Sequence, residues 1–122
     1  MVELVVGCEL SVDESEVKSV LEATVGLLTS RGLERPTLYY IYVYCKERPR
    51  GLIRVRPGVY VGHGVLAIKG GVLANIAFEE LISGLVALSL LETAGVIDRE
   101  FVEEFTKENF LAIMRKALWE SK

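Results

Sequence analysis

Apolar and polar positions alternate cleanly at the start of the chain, with Val2, Leu4, Val6, Cys8 and Leu10 on one side and Glu3, Glu9 and Ser11 opposite. A period of two over this length predicts a half-buried strand. The period then lengthens: Val17, Val20, Leu21, Thr24, Leu27 and Leu28 recur at helical spacing. Ser11-Val12-Asp13-Glu14 has the S-x-x-E form of a capping box, which would satisfy the first free backbone N–H groups of that helix. Gly32 is placed to end it in a left-handed cap, and Pro36 blocks any continuation.

Alternation returns over residues 37–57, TLYYIYVYCKERPRGLIRVRP, which read as a β-hairpin with two chemically different faces. Leu38, Tyr40, Tyr42 and Tyr44 share one parity, and Tyr39, Ile41, Val43 and Cys45 the other. On the return strand Leu52, Arg54 and Arg56 share a side, opposite Ile53 and Val55. Glu47-Arg48-Pro49-Arg50-Gly51 supplies the turn, and Pro57-Gly58 a second one. The short runs 59–61 and 65–68, separated by Gly62-His63-Gly64, form either one bulged strand or a second small hairpin.

Gly70-Gly71 then opens a long helix over residues 72–94 that is apolar around most of its circumference. Asn75, Glu79 and Ser83 are its one polar stripe. A helix so apolar must be covered on nearly every side, and in a chain this short part of the cover is expected from another subunit. Asp98 is the expected N-cap of a last helical region, in which Phe101, Val102 and Phe105 are followed, after a phase shift at residues 106–109, by Phe110, Ile113, Met114, Ala117 and Leu118. A kink or break is expected at the shift. The order β-α-β-β-(β)-α-α predicts one α+β domain over residues 1–122, a two-layer sandwich with an antiparallel sheet. Its nearest common architecture is a ferredoxin-like variant with an extra C-terminal helix.

Composition narrows this picture. With 51% hydrophobic and 25% charged residues among 122, the chain can bury a sizeable core and need not be disordered. The first residues carry no basic segment followed by a cleavage site, and Glu79 and Glu80 interrupt the longest apolar stretch. A cytoplasmic protein without a membrane span is therefore expected. The absence of glutamine and the presence of two asparagines, Asn75 and Asn109, fit a thermophile. Cys8 and Cys45 fall on apolar strand positions and are expected as plain core thiols; a bridge between them would need neighbouring strands and an oxidising compartment. Two cysteines and one histidine cannot build a four-ligand zinc site without carboxylates, so no metal and no cofactor is expected.

Charge is unevenly distributed within a net −3. Residues 1–36 carry seven acids and three bases, and residues 72–122 nine acids and five bases. Between them, residues 37–71 carry six bases (Lys46, Arg48, Arg50, Arg54, Arg56 and Lys69) against Glu47 alone. This basic island can steer anions locally.

Three candidate sites follow. Tyr40, Tyr42, Tyr44, Arg54 and Arg56 form a surface on which the bases of a single strand could stack and its phosphates pair. The blander reading has the tyrosines packed under a helix or a second subunit and the arginines paired with acidic helices. His63, between two glycines, is a weak candidate general base, since no nucleophile or acid partner is evident; a loop-tip role is the alternative. Lys69-Gly70-Gly71 at a helix N-terminus would suit an anion, although neither phosphate-loop motif is present and a tight turn explains the glycines. Glu79 and Glu80 point about 100° apart on a helix and are no paired dyad. The leading expectation is a non-catalytic module that self-associates or binds a protein partner, motivated by the apolar helix together with the amphipathic tyrosine-rich sheet face. The alternatives are a single-stranded RNA-binding subunit using the Tyr/Arg face, and a small enzyme or anionic-metabolite-binding protein using His63 and Lys69.

Overall fold

A computed structural model of the chain describes residues 2–7, 12–70 and 76–119. The first strand, β1 (Glu3–Val6), leads to α1 (Glu14–Ser30), then β2 (Tyr40–Tyr44), β3 (Ile53–Arg56), β4 (Val59–Gly62) and β5 (Val65–Lys69). Two helices follow, α2 (Phe78–Ala94) and α3 (Arg99–Met114), the latter running into a π-helical turn at Arg115–Trp119. This is a mixed α+β arrangement with one open five-stranded sheet, ordered β1-β2-β5-β4-β3.

The sheet corrects two expectations. It is not antiparallel throughout, as the ferredoxin-like expectation had assumed: β1 runs parallel to β2, and β2 parallel to β5. Nor do β2 and β3 form a hairpin. They are separated by β5 and β4, and β3 pairs antiparallel with β4 at the sheet edge. The hairpins actually formed have the shorter connections. Pro57 and Gly58 (φ 83°) turn β3 into β4, and His63 (φ 51°) and Gly64 (φ 76°) turn β4 into β5. Two consecutive positive φ values are the signature of a tight two-residue hairpin turn. The second-hairpin alternative for residues 59–68 is therefore the one adopted.

Local signals explain the helix ends. Asp13 caps α1 by accepting from the Glu16 N–H, and Asp13 and Glu16 stand in the D-x-x-E spacing. The expected cap, Ser11, lies outside the described residues. At the other end Gly32 (φ 83°) takes the left-handed position, with Gly32 N–H donating to Thr29 and Leu33 N–H to Leu28, a complete Schellman closure. Helix α2 begins at Phe78, with Ile76 and Ala77 non-helical, so Gly70-Gly71 does not open it. Asp98 caps α3 as expected, through the Phe101 N–H. The helix runs without a break through residues 106–109. The apparent phase shift arises because Thr106 and Asn109 face inward and are satisfied there: Thr106 pairs with the Ser83 hydroxyl at 3.1 Å, and Asn109 bonds Phe105 O and the Arg31 guanidinium. The helical irregularity falls later, at Arg115–Trp119.

The main core lies between one face of the sheet and the helices. Ile41, Val43, Val59, Val61, Leu66 and Ile68 point into it, meeting Val20, Leu28, Leu81, Leu85 and Val102. Every residue from Leu81 to Leu90 is buried within this one chain, under the sheet, α1 and α3. The cover expected from a second subunit is supplied internally. Among the described residues no helix is long and apolar enough to cross a membrane.

Candidate functional site

Among the described residues the other sheet face carries no helix. Its small apolar cluster is built from Tyr44, Tyr60 and Ala67, with Tyr42 and Leu52 packed against them. Register explains the grouping: Tyr42, Ala67, Tyr60 and Arg54 are successive partners across β2, β5, β4 and β3. Ala67 is small enough to lie beneath the rings. Tyr44 sits between Tyr42 and Tyr60, with ring centroids 6.5 Å and 6.3 Å away. Gly7 lets the Tyr42 ring lie against the β1 end, because a Cβ there would come within 2.6 Å of the phenolic oxygen.

The segment 45–52 folds back over the end of this face. Leu52 joins the tyrosine cluster, and the Arg48 guanidinium lies 5.0 Å from the Tyr60 ring centroid. Between segment and sheet is a cleft of about 690 Å³. Tyr44 and Tyr60 form its aromatic wall, and Gly51 and Gly58 its glycine edges. Lys46, Arg48, Arg50 and Lys69 line it, against one carboxylate, Glu47, among the described residues. The strand ends are tied together there, since Gly70 N–H donates to Tyr44 O at 2.7 Å and Lys69 N–H to Gly58 O at 2.9 Å. Burial raises the pKa of the Tyr44 phenol above its ordinary 10.0, neighbouring Tyr60 adds to the rise, and Arg48 opposes it.

The sequence candidates are thus partly brought together. Tyr40, Tyr42 and Tyr44 do share the helix-free face: Tyr40 is 46% exposed, Tyr42 is half-buried and Tyr44 is buried beneath its neighbours. Arg54 shares that face but stands three strands from Tyr42, roughly 14 Å at ordinary strand spacing. Arg56 leaves it. A register shift between Arg54 and Arg56 turns Arg56 toward the helices, where it meets Glu79 at 3.4 Å, Glu103 at 3.6 Å and the Ser83 hydroxyl at 3.0 Å. The polar stripe of α2 is therefore an internal anchor for β3; its third member, Asn75, lies outside the described residues.

Lys69 lines the cleft, but as the last residue of β5 and not at a helix N-terminus. The Gly70 amide is already committed to Tyr44, and Gly71 lies outside the described residues. His63 is exposed at the β4–β5 turn, at the far end of β5 from Lys69 and roughly 13 Å of strand away. His63 does not line the cleft that Lys69 lines. Cys45, which follows β2, is disulfide-bonded, so the plain-thiol expectation is corrected at that position. The neighbouring of β1 and β2 meets the first of the two conditions set for a bridge. Cys8 lies outside the described residues. Among the described residues no group of three or more His, Cys, Asp or Glu side chains could hold a metal ion.

Sequence reasoning missed Tyr60, Lys46, Arg48 and Arg50 as members of one site. The concentration of positive charge over residues 37–71 was the signal that contained them. Comparison with protein-family models, curated proteins and solved structures finds no match to this chain.

Proposed function

We propose that this protein is a non-catalytic binding module whose ligand is a phosphate-bearing anion held in the cleft beside Tyr44 and Tyr60. The observation that carries the reading is the cleft's lining: four cations and one carboxylate among the described residues, in a chain whose net charge is −3. Like charges gathered around one concavity repel each other, and an anion of several charges relieves that repulsion. Arginine adds a planar fork of donors that matches phosphate oxygens. The volume lies in the range of ordinary small-molecule sites and exceeds what one simple ion would fill.

Titration calorimetry with inorganic tripolyphosphate tests the reading. The expected result is binding that weakens as salt is added and is abolished in the double variant Arg48→Glu/Lys69→Glu. Equal affinity in that variant, or no binding at low salt, overturns it.

Self-association is the second reading, now without its original support from α2. What favours it is the exposed pair Val5, 39% exposed, and Tyr40, on adjacent strands of the helix-free face. Sedimentation velocity reads this directly: a monomer at micromolar concentration removes it.

A further inference from the structure

We infer that the ligand is a single-stranded nucleic acid, with phosphates in the basic cleft and bases laid along β2 on Tyr42 and Tyr40. The inference rests on the reading of the cleft as an anion site and adds the class of ligand. The two tyrosines continue from the cleft on the same face as Tyr44, at two-residue intervals of roughly 7 Å. That step is close to the reach of one extended nucleotide, so successive bases could meet successive rings.

The rings differ in availability in the order such a track requires. Tyr44 and Tyr60 are 5% and 9% exposed and form the wall of the cleft; Tyr42 is half-buried and Tyr40 46% exposed. Tyr42 is held from the side by the Tyr44 ring and against Gly7, so stacking on it costs little conformational freedom. Among the described residues no helix covers this face. Base stacking on aromatic rings needs no sequence signature, because every base has a π-face. Duplexes keep their bases inside the helix and could use only the cations. An acidic protein segment would satisfy the charge of the cleft and leave the tyrosine track without a purpose.

Fluorescence anisotropy with a labelled oligo-uridylate of about 12 nucleotides, within the usual range of single-strand site sizes, reads the proposal. The same strand annealed to its complement serves as the competitor. The single strand is expected to bind more tightly than the duplex, with log affinity falling linearly in log salt. Tyr40→Ala and Tyr42→Ala should each weaken binding by roughly tenfold, and phenylalanine at either position should restore it. Arg48→Ala should reduce the salt slope by about one. Circular dichroism of each variant confirms that it is folded; Tyr40, being exposed, is the safer test should Tyr42→Ala unfold.

The inference is overturned if the duplex binds as well as the single strand, if poly-glutamate binds as well as the oligonucleotide, or if folded Tyr40→Ala binds like the parent. A dimer that Tyr40→Ala converts to monomer, with no change in oligonucleotide affinity, overturns it in favour of a second copy. Tripolyphosphate binding without oligonucleotide binding removes the nucleic acid and leaves the anion site standing. If neither probe binds, both readings fall.

Discussion

On the helix side of the sheet Ile41, Val43, Val59, Val61, Leu66 and Ile68 are each at most 1% exposed, while on the reverse side Tyr40, Lys69 and Arg54 reach solvent. Both sides are written by the same alternation along the same strands. They differ in what the chain sets against them. Toward the helices it places branched aliphatic residues, which have no polar atom to satisfy and can be sealed under α2. On the other side it places tyrosines, whose rings pack while their hydroxyls stay reachable. One face thus secures the fold, and the other keeps aromatic and cationic side chains at the surface.

This comparison can be broken experimentally. The largest effect is expected on the sealed side: Leu85→Ala should lower unfolding free energy by about 2–5 kcal/mol in denaturant titrations, since Leu85 is fully buried in the main core. Gly84→Ala is the sharper test of close packing. In an open helix alanine would gain about 0.5–1 kcal/mol over glycine. Here its Cβ would run into the buried Leu66 side chain. The clash should win, giving a net loss of about 1–3 kcal/mol in the same titration.

On the open side the effects should be smaller and conditional. Burial holds the proton on Tyr44, so its folded pKa lies above the ordinary 10.0. Between the two values the folded protein keeps a proton that the unfolded chain releases. This part of the stability is complete below pH 10.0 and is lost as pH rises through the folded value. Tyr44→Phe should therefore flatten the alkaline decline in stability, measured by denaturant unfolding at a series of pH values above 10.0. Smallest of all, Arg50→Ala should change stability by no more than about 0.5 kcal/mol, because an exposed cation in the cleft wall contributes little to folding. A large loss there would mean that the cleft is part of the structural core.

Much of the helix-side architecture was legible in the chain. The end of α1 at Gly32, the Asp98 cap and the burial of α2 all follow from local chemistry or periodicity. Strand pairing was not legible. Closeness in sequence made β2 and β3 look like hairpin partners, whereas β5 returns to lie beside β2 and β4 beside β3. That one difference separates Tyr42 from Arg54 and brings Tyr60 to Tyr44. Alternation also could not reveal the register shift that sends Arg56 to Glu79 and Glu103. The inward-facing Thr106 and Asn109 were misread as a break because period counting treats a satisfied buried polar group as an exposed one. The basic island over residues 37–71 contains Lys46, Arg48, Arg50 and Lys69, the four cations that line the cleft.

The most direct test of the central claim is to map amide chemical shifts while tripolyphosphate is added. The account expects perturbations confined to residues 44–51, 58–60 and 69–70, around the cleft, with α2 and the His63 turn unaffected. Shifts centred on the helices or on His63, or none at low salt, would contradict it.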